Sequence, residues 1–201
     1  FTLIGLCIVM FSLLGYLGAD IYRAAPPIPA QVVTAQGHKL FGQDDILDGQ
    51  TAWQSVGGMQ LGSIWGNGAC HAPDWTADWL HREASALLDI RARAKGSSSF
   101  ASLTPREQAA DEAELRIDMR RNTYDPATGT VTVTPERAAA IAVVQNHFRD
   151  LYQARTPEAQ KLRVDYAFPV HTRLSDADAH AVAAFYFWTS WAASTERPGK
   201  T

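Results

Sequence analysis

Gly62 to Ala84 reads GSIWGNGACHAPDWTADWLHREA. Cys70 and His71 stand side by side, and Asp74 precedes a segment of helical spacing. Asp is a favoured helix N-cap, so a helix is expected to enter at WTADWLHREASALLDIRARAK, with Leu80, Ala84, Leu87 and Leu88 facing the core. The Cys-His pair raises the question of haem. Covalent haem c needs two thiols and an adjacent histidine, spaced C-x-x-C-H. Asn67 occupies the position of the first thiol, so Cys70 and His71 do not make an attachment box. Asp74, Asp78 and His81 follow i, i+4, i+7 spacing on one helix face and can be drawn as a three-ligand zinc site of a hydrolase. The competing reading makes Asp74 a cap, places Asp78 at the positive end of the helix dipole, and leaves His81 beside Arg82 on a wet face.

Outward toward the N-terminus, FTLIGLCIVMFSLLGYLGA (Phe1–Ala19) has no charge until Asp20. Nineteen residues of helix rise about 28 Å, close to the hydrocarbon thickness of a bilayer. A transmembrane helix is expected over 1–22, with Tyr16 and Tyr22 near the interface. The apolar run is too long for a signal-peptide core and no positive charge precedes it, so the segment reads as an uncleaved anchor. The chain opens on Phe rather than Met, and further cytosolic residues are expected before it. Pro26, Pro27 and Pro29 predict a stiff, extended linker over 23–43.

A folded domain is expected over 44–193. A helix is predicted from about Asp44 to Val56, ended by Gly57 and Gly58. GSSSFAS is read as a flexible break. Thr104, Pro105 and Glu107 form a capping-box signature for the next helix. DPATG, followed by alternating Val131 and Val133, signals a hairpin. Thr134 and Pro135 start a helix to about Gln153, with Ile141, Val144, Phe148 and Leu151 as its stripe. The last helix is capped by Ser175, with Leu174, Asp178, Ala181, Phe185, Trp188 and Ala192 along one side. Its apolar run from Ala181 to Ala193 spans only about 20 Å, too short for a bilayer, so it is a buried core helix or one resting on a partner. The fold class is mainly α, with one small hairpin.

Several function classes fall away. A net charge of −3 with no basic stripe gives no reason to expect nucleic acid. Cys7 and Cys70 are expected on opposite sides of a membrane boundary and so do not pair. There is no G-x-S-x-G elbow and no phosphate-cradling Gly loop. His147, His171 and His180 are widely separated, and core packing explains the six tryptophans at least as well as quinone or carbohydrate stacking does. Residue chemistry alone supports no catalysis.

APPIP (25–29), DGQTAWQSVGGMQLGSIWGNGACHAPDWTADWLHREA (48–84), YDPATGTVTVTPERA (124–138) and FYFWTSWAASTERPG (185–199) together resemble the N-terminal region of quinol-dependent, single-chain nitric oxide reductases of the haem-copper oxidase superfamily. The resemblance implies a cytochrome c-like domain on the periplasmic side of the bacterial inner membrane. The family reduces two NO to N2O and water, in denitrification or NO detoxification, with electrons from quinol. Its haems b and non-haem iron are bound by later transmembrane helices, so this chain is expected to be a non-catalytic fragment, with 194–201 leading to a second membrane helix. The domain has lost its haem c: the attachment box would fall at Gly58–Gly62, which reads GMQLG. A structural calcium in the cytochrome-bearing relatives is bound at a turn corresponding to Gly68-Ala69-Cys70. Gly68 can present its carbonyl there, while Cys70 replaces the ligating Tyr with a soft thiol. No cofactor is expected on this segment itself. Its partners would be the catalytic membrane domain of the same polypeptide, met by GACHAPDW (68–75), and the lipid bilayer. The alternative is a membrane-tethered extracytoplasmic binding or sensor domain with its own ligand pocket.

Overall fold

The computed structural model describes residues 2–197; Phe1 and the end of the expected 194–201 loop lie outside them. The first helix, α1 (Thr2–Ala24), has no buried residue and a mean hydropathy of 2.1 in its most apolar window. It is long and apolar enough to cross a membrane, and runs two residues beyond the expected end at 22.

The expected linker over 23–43 is much shorter. Residues 31–42 form two strands, β1 (Gln31–Thr34) and β2 (Lys39–Gly42), which enter the domain. Val32 and Phe41, paired across the two strands and both wholly inaccessible, draw the extended chain after the prolines into the sheet. The expected hairpin is present as β5 (Tyr124–Asp125) and β6 (Thr130–Val133), after the short ribbon β3 (Ser63–Ile64) and β4 (Asn67–Gly68). It joins a four-stranded sheet of order β2-β1-β6-β5. The central pair is parallel, setting Val32 opposite Val131. That non-local pairing was not legible locally.

Five helices make the body. They are α2 (Gln43–Ser55), α3 (Trp75–Ala94), α4 (Pro105–Arg120), α5 (Pro135–Gln153) and α7 (Asp176–Ser194). The side chains of Asp74, Thr104, Thr134 and Ser175 each cap a helix as their sequence context predicts. A shorter helix, α6 (Pro157–Asp165), is an addition to the expected set. Its Arg163 reaches back to the carbonyls of Leu151, Tyr152, Pro169 and Thr172, closing the α5–α7 connection. GSSSFAS is an ordered break rather than a flexible one. It holds a 3-10 turn (Phe100–Ser102), with the Phe100 amide donating to Asp89 (2.8 Å) and Ser99 paired with Ser102.

The α3 stripe differs from expectation. Leu87 is buried, but Leu80, Ala84 and Leu88 are only half-buried. The inward line is Trp75, Trp79, Glu83 and Leu87, at i, i+4, i+8 and i+12. Two indole rings bury more apolar area than the leucines, and Glu83 can follow them inside because it is paired. Helix α7 is the buried alternative of the two expected: Ala181 to Phe187 is enclosed on all sides, while Asp178 stays exposed. α2 crosses α7 at Gly49, where an added Cβ would lie 1.9 Å from the Ala181 carbonyl oxygen.

Glu83 is fully buried. Its carboxylate accepts from Arg137 Nε (2.6 Å) and Trp79 Nε1 (2.8 Å), and the Arg137 guanidinium lies 5.8 Å from the Phe187 ring centre. A buried pair of this kind contributes little over a hydrophobic replacement, yet breaking one side leaves an uncompensated charge. Glu83→Ala is therefore expected to cost about 3–5 kcal/mol, read as a lower urea midpoint in detergent. The double change Glu83→Leu with Arg137→Met should recover most of that loss.

Candidate functional site

Between α2 and α3 the chain makes a compact knot of short elements. A 3-10 turn (Gly58–Gln60) leads into the β3–β4 ribbon. Trp65 and Gly66 form its tip, both at positive φ (53° and 76°), as a two-residue type I′ connection requires. Gly62 and Gly68 are required by space. A Cβ on Gly62 would come within 2.6 Å of Trp75 Nε1, and one on Gly68 within 2.5 Å of the Gly62 carbonyl oxygen. The loop Ala69–Pro73 returns under the turn, with the Ala69 amide donating to Met59 O (2.8 Å) and Ala72 to Leu61 O (2.7 Å).

Asp74 holds this knot to α3. One carboxylate oxygen caps the helix through the Ala77 amide (3.1 Å). The other accepts from the Ser63 hydroxyl (2.7 Å) and the Gly66 amide (2.6 Å). Partial burial pushes its pKa up, but the Ser63 hydroxyl and the amides of Gly66, Ala77 and Thr76 more than offset it, holding the carboxyl below 3.8. The tip is also fastened to α7: Trp65 Nε1 donates to Thr189 O (3.0 Å) and Ser190 Oγ to Thr76 O (2.8 Å). The Trp65 and Trp188 rings lie 5.6 Å apart. Ser63, Trp65, Thr76 and Ser190 were not singled out from sequence. The glycines around Trp65 in Gly62-Ser-Ile-Trp-Gly-Asn-Gly68 were the available signal for the ribbon.

The sequence-derived candidates are placed as follows. Gly68, Cys70 and His71 are exposed, and Cys7 and Cys70 are free thiols. Asp78 pairs with Arg82 (2.8 Å), Asp74 is occupied as described, and His81 is exposed. The structure does not bring the trio together as ligands: among the described residues no three His, Cys, Asp or Glu side chains gather where a metal could sit. The His180 ring lies tilted against Phe41 (5.4 Å between centroids), His171 is exposed and His147 is half-buried. Burial, followed by the charge of Arg82, lowers the pKa of His147 against the opposing pull of Asp78 and Asp150. Trp53, Trp75, Trp79 and Trp191 are core residues. A groove of about 420 Å³ lies between α5 and α7, lined by Gln145, Arg149, Arg155, Asp176 and His180 among others, away from the ribbon.

Haem c does not fit these residues. Asn67 Nδ2 donates to Trp65 O (3.3 Å) where the first thiol would stand, and Gly58–Gly62 carries neither Cys nor His. The interior is filled by Trp75 stacked on Tyr186 (5.5 Å) and Trp79 stacked on Phe148 (5.6 Å). Calcium takes six to eight hard oxygen ligands, and the Gly68 carbonyl with the Cys70 thiol does not amount to such a set.

Asp74→Ala should lower stability by about 1–2 kcal/mol, the upper range for loss of a cap. Because the folded carboxyl titrates below its unfolded counterpart, its contribution is complete above 3.8 and is lost as pH falls through the folded value. Thermal melts over a pH series across that range should show this loss in the native chain and not in Asp74→Asn.

A family model for the NorB cytochrome c-like domain of nitric oxide reductase matches residues 29–201. No curated protein shows a significant match. The family match takes in the sheet, the ribbon and the helical body, leaving α1 before it. With that span covered, the chain belongs to the NorB cytochrome c-like domain family of nitric oxide reductases.

Proposed function

We propose that this chain is the anchored, haem-less structural domain of a quinol-dependent nitric oxide reductase. Its job is to cover and brace a catalytic membrane domain on the periplasmic side of the inner membrane. The observation that carries the reading is the core itself: Trp75, Trp79, Phe148, Tyr152 and Tyr186 occupy one another's faces and edges, and no two-thiol box borders them. Covalent haem c therefore has neither its tethers nor its space.

Reduction of NO to N2O then belongs to residues outside this chain, with haem b and non-haem iron there and electrons delivered from quinol. The Gly68–Pro73 segment, which exposes Gly68, Cys70 and His71 and is held by the Ala69 and Ala72 amides, is the part of the domain that docks on that catalytic portion. Any calcium at Gly68 and Cys70 takes its remaining oxygens from across that contact.

The test is spectroscopic and kinetic. The purified chain should show no Soret band, stain negative for covalent haem, and leave NO unconsumed at an NO electrode with a quinol donor. A covalently bound porphyrin, or NO turnover by the chain alone, would sink the proposal.

A further inference from the structure

The end of α1 is tied to the domain at two points close in sequence. The Ala24 carbonyl accepts from Arg197 Nη1 (2.9 Å), and Arg197 Nη2 donates to Ala192 O (3.0 Å). Three residues on, the Pro27 carbonyl accepts from Trp188 Nε1 (3.0 Å). Three residues of extended chain reach at most about 10 Å. A 23-residue helix rises about 34 Å, against roughly 30 Å of hydrocarbon. The end of α1 therefore emerges in the headgroup layer, and the Trp188 end of α7 is held beside it.

Trp65 lies on that same end. Its ring sits 5.6 Å from that of Trp188, and it remains 45% exposed. Its backbone is left-handed, at φ +53°, where a bulky side chain is an outlier. Such a residue persists when the surrounding structure over-determines it, and residues of this kind cluster at functional sites. Here the type I′ tip and the bond to Thr189 over-determine it, and the result is a large amphipathic ring presented outward. Met59, 54% exposed, belongs to the same knot. Tryptophan favours the boundary between hydrocarbon and headgroups, and with the N–H of Trp65 already bonded to Thr189 O it is the exposed part of the ring that would meet that layer.

We propose that the ribbon tip at Trp65 and Gly66, with Trp188 beside it, rests in the phospholipid headgroup layer of the bilayer that α1 crosses. This gives the domain a second membrane contact that sets its tilt. The inference rests on reading α1 as a membrane anchor. It assigns the tip to lipid and leaves the Gly68–Pro73 segment for protein.

The chain is reconstituted in phosphatidylcholine vesicles containing headgroup-nitroxide phosphatidylcholine, and quenching of tryptophan emission is measured. Trp65→Phe with Trp188→Phe should remove about half or more of the quenched signal, since interfacial rings are the ones a headgroup quencher reaches. Trp53→Phe, in the core, should leave the quenched signal unchanged, and circular dichroism checks that each variant is folded. Quenching that is the same with and without Trp65 overturns the proposal and leaves the tip as a protein-facing surface. Resistance to alkaline extraction reads the anchor separately. A chain that is extracted overturns both, while a resistant chain without Trp65-dependent quenching overturns the lipid contact alone.

Discussion

Everything in the domain converges on the ring of Trp75. It is wholly inaccessible, stacked on Tyr186 and met edge-on by Phe148, Tyr166 and Phe168. Its Nε1 has no hydrogen-bond partner, a cost of about 1–3 kcal/mol that packing must offset. The ring sits one residue after the Asp74 cap, so the start of α3, the ribbon bound by Asp74, and helices α5 and α7 share a single contact point. Gly62 is dictated by the same ring, since any side chain there would strike the indole. An interior packed this way tolerates little change of volume.

Around that hub the chain uses buried polar groups as ties between distant segments. Glu83 joins α3 to α5 through Arg137, Asp111 joins α4 to the end of α3 through Lys95, and Arg163 gathers four carbonyls around the α5–α7 connection. The Tyr152 and Tyr186 hydroxyls satisfy each other in the core, and burial raises the pKa of both, keeping them neutral. Each tie has geometric direction, which hydrophobic burial lacks. These ties select one helix arrangement among the many that would bury a similar area.

The centre of this cytochrome c-like domain is filled by its own aromatic rings. At the end of α1, the Ala24 and Pro27 carbonyls accept from Arg197 and Trp188, which joins α1 to the last helix.

The sequence by itself determined what depends on nearest neighbours. The apolar run of α1, the caps Asp74, Thr104, Thr134 and Ser175, the α5 stripe and the DPATG hairpin were all legible, because periodicity and capping act over three or four residues. The missing first thiol at Asn67 was legible for the same reason. Only the tertiary structure decided that residues 31–42 leave the linker to form β1 and β2, with β1 pairing to β6, because a parallel pairing about a hundred residues apart carries no local signal. It also decided that Trp75, Trp79 and Glu83, rather than Leu80, Ala84 and Leu88, face inward on α3: two large rings and a carboxylate whose partner lies 54 residues away outweigh the leucines. The left-handed Trp65 beside the exit of the membrane helix belongs to the same class, since what surrounds a side chain is set by segments the local pattern does not contain.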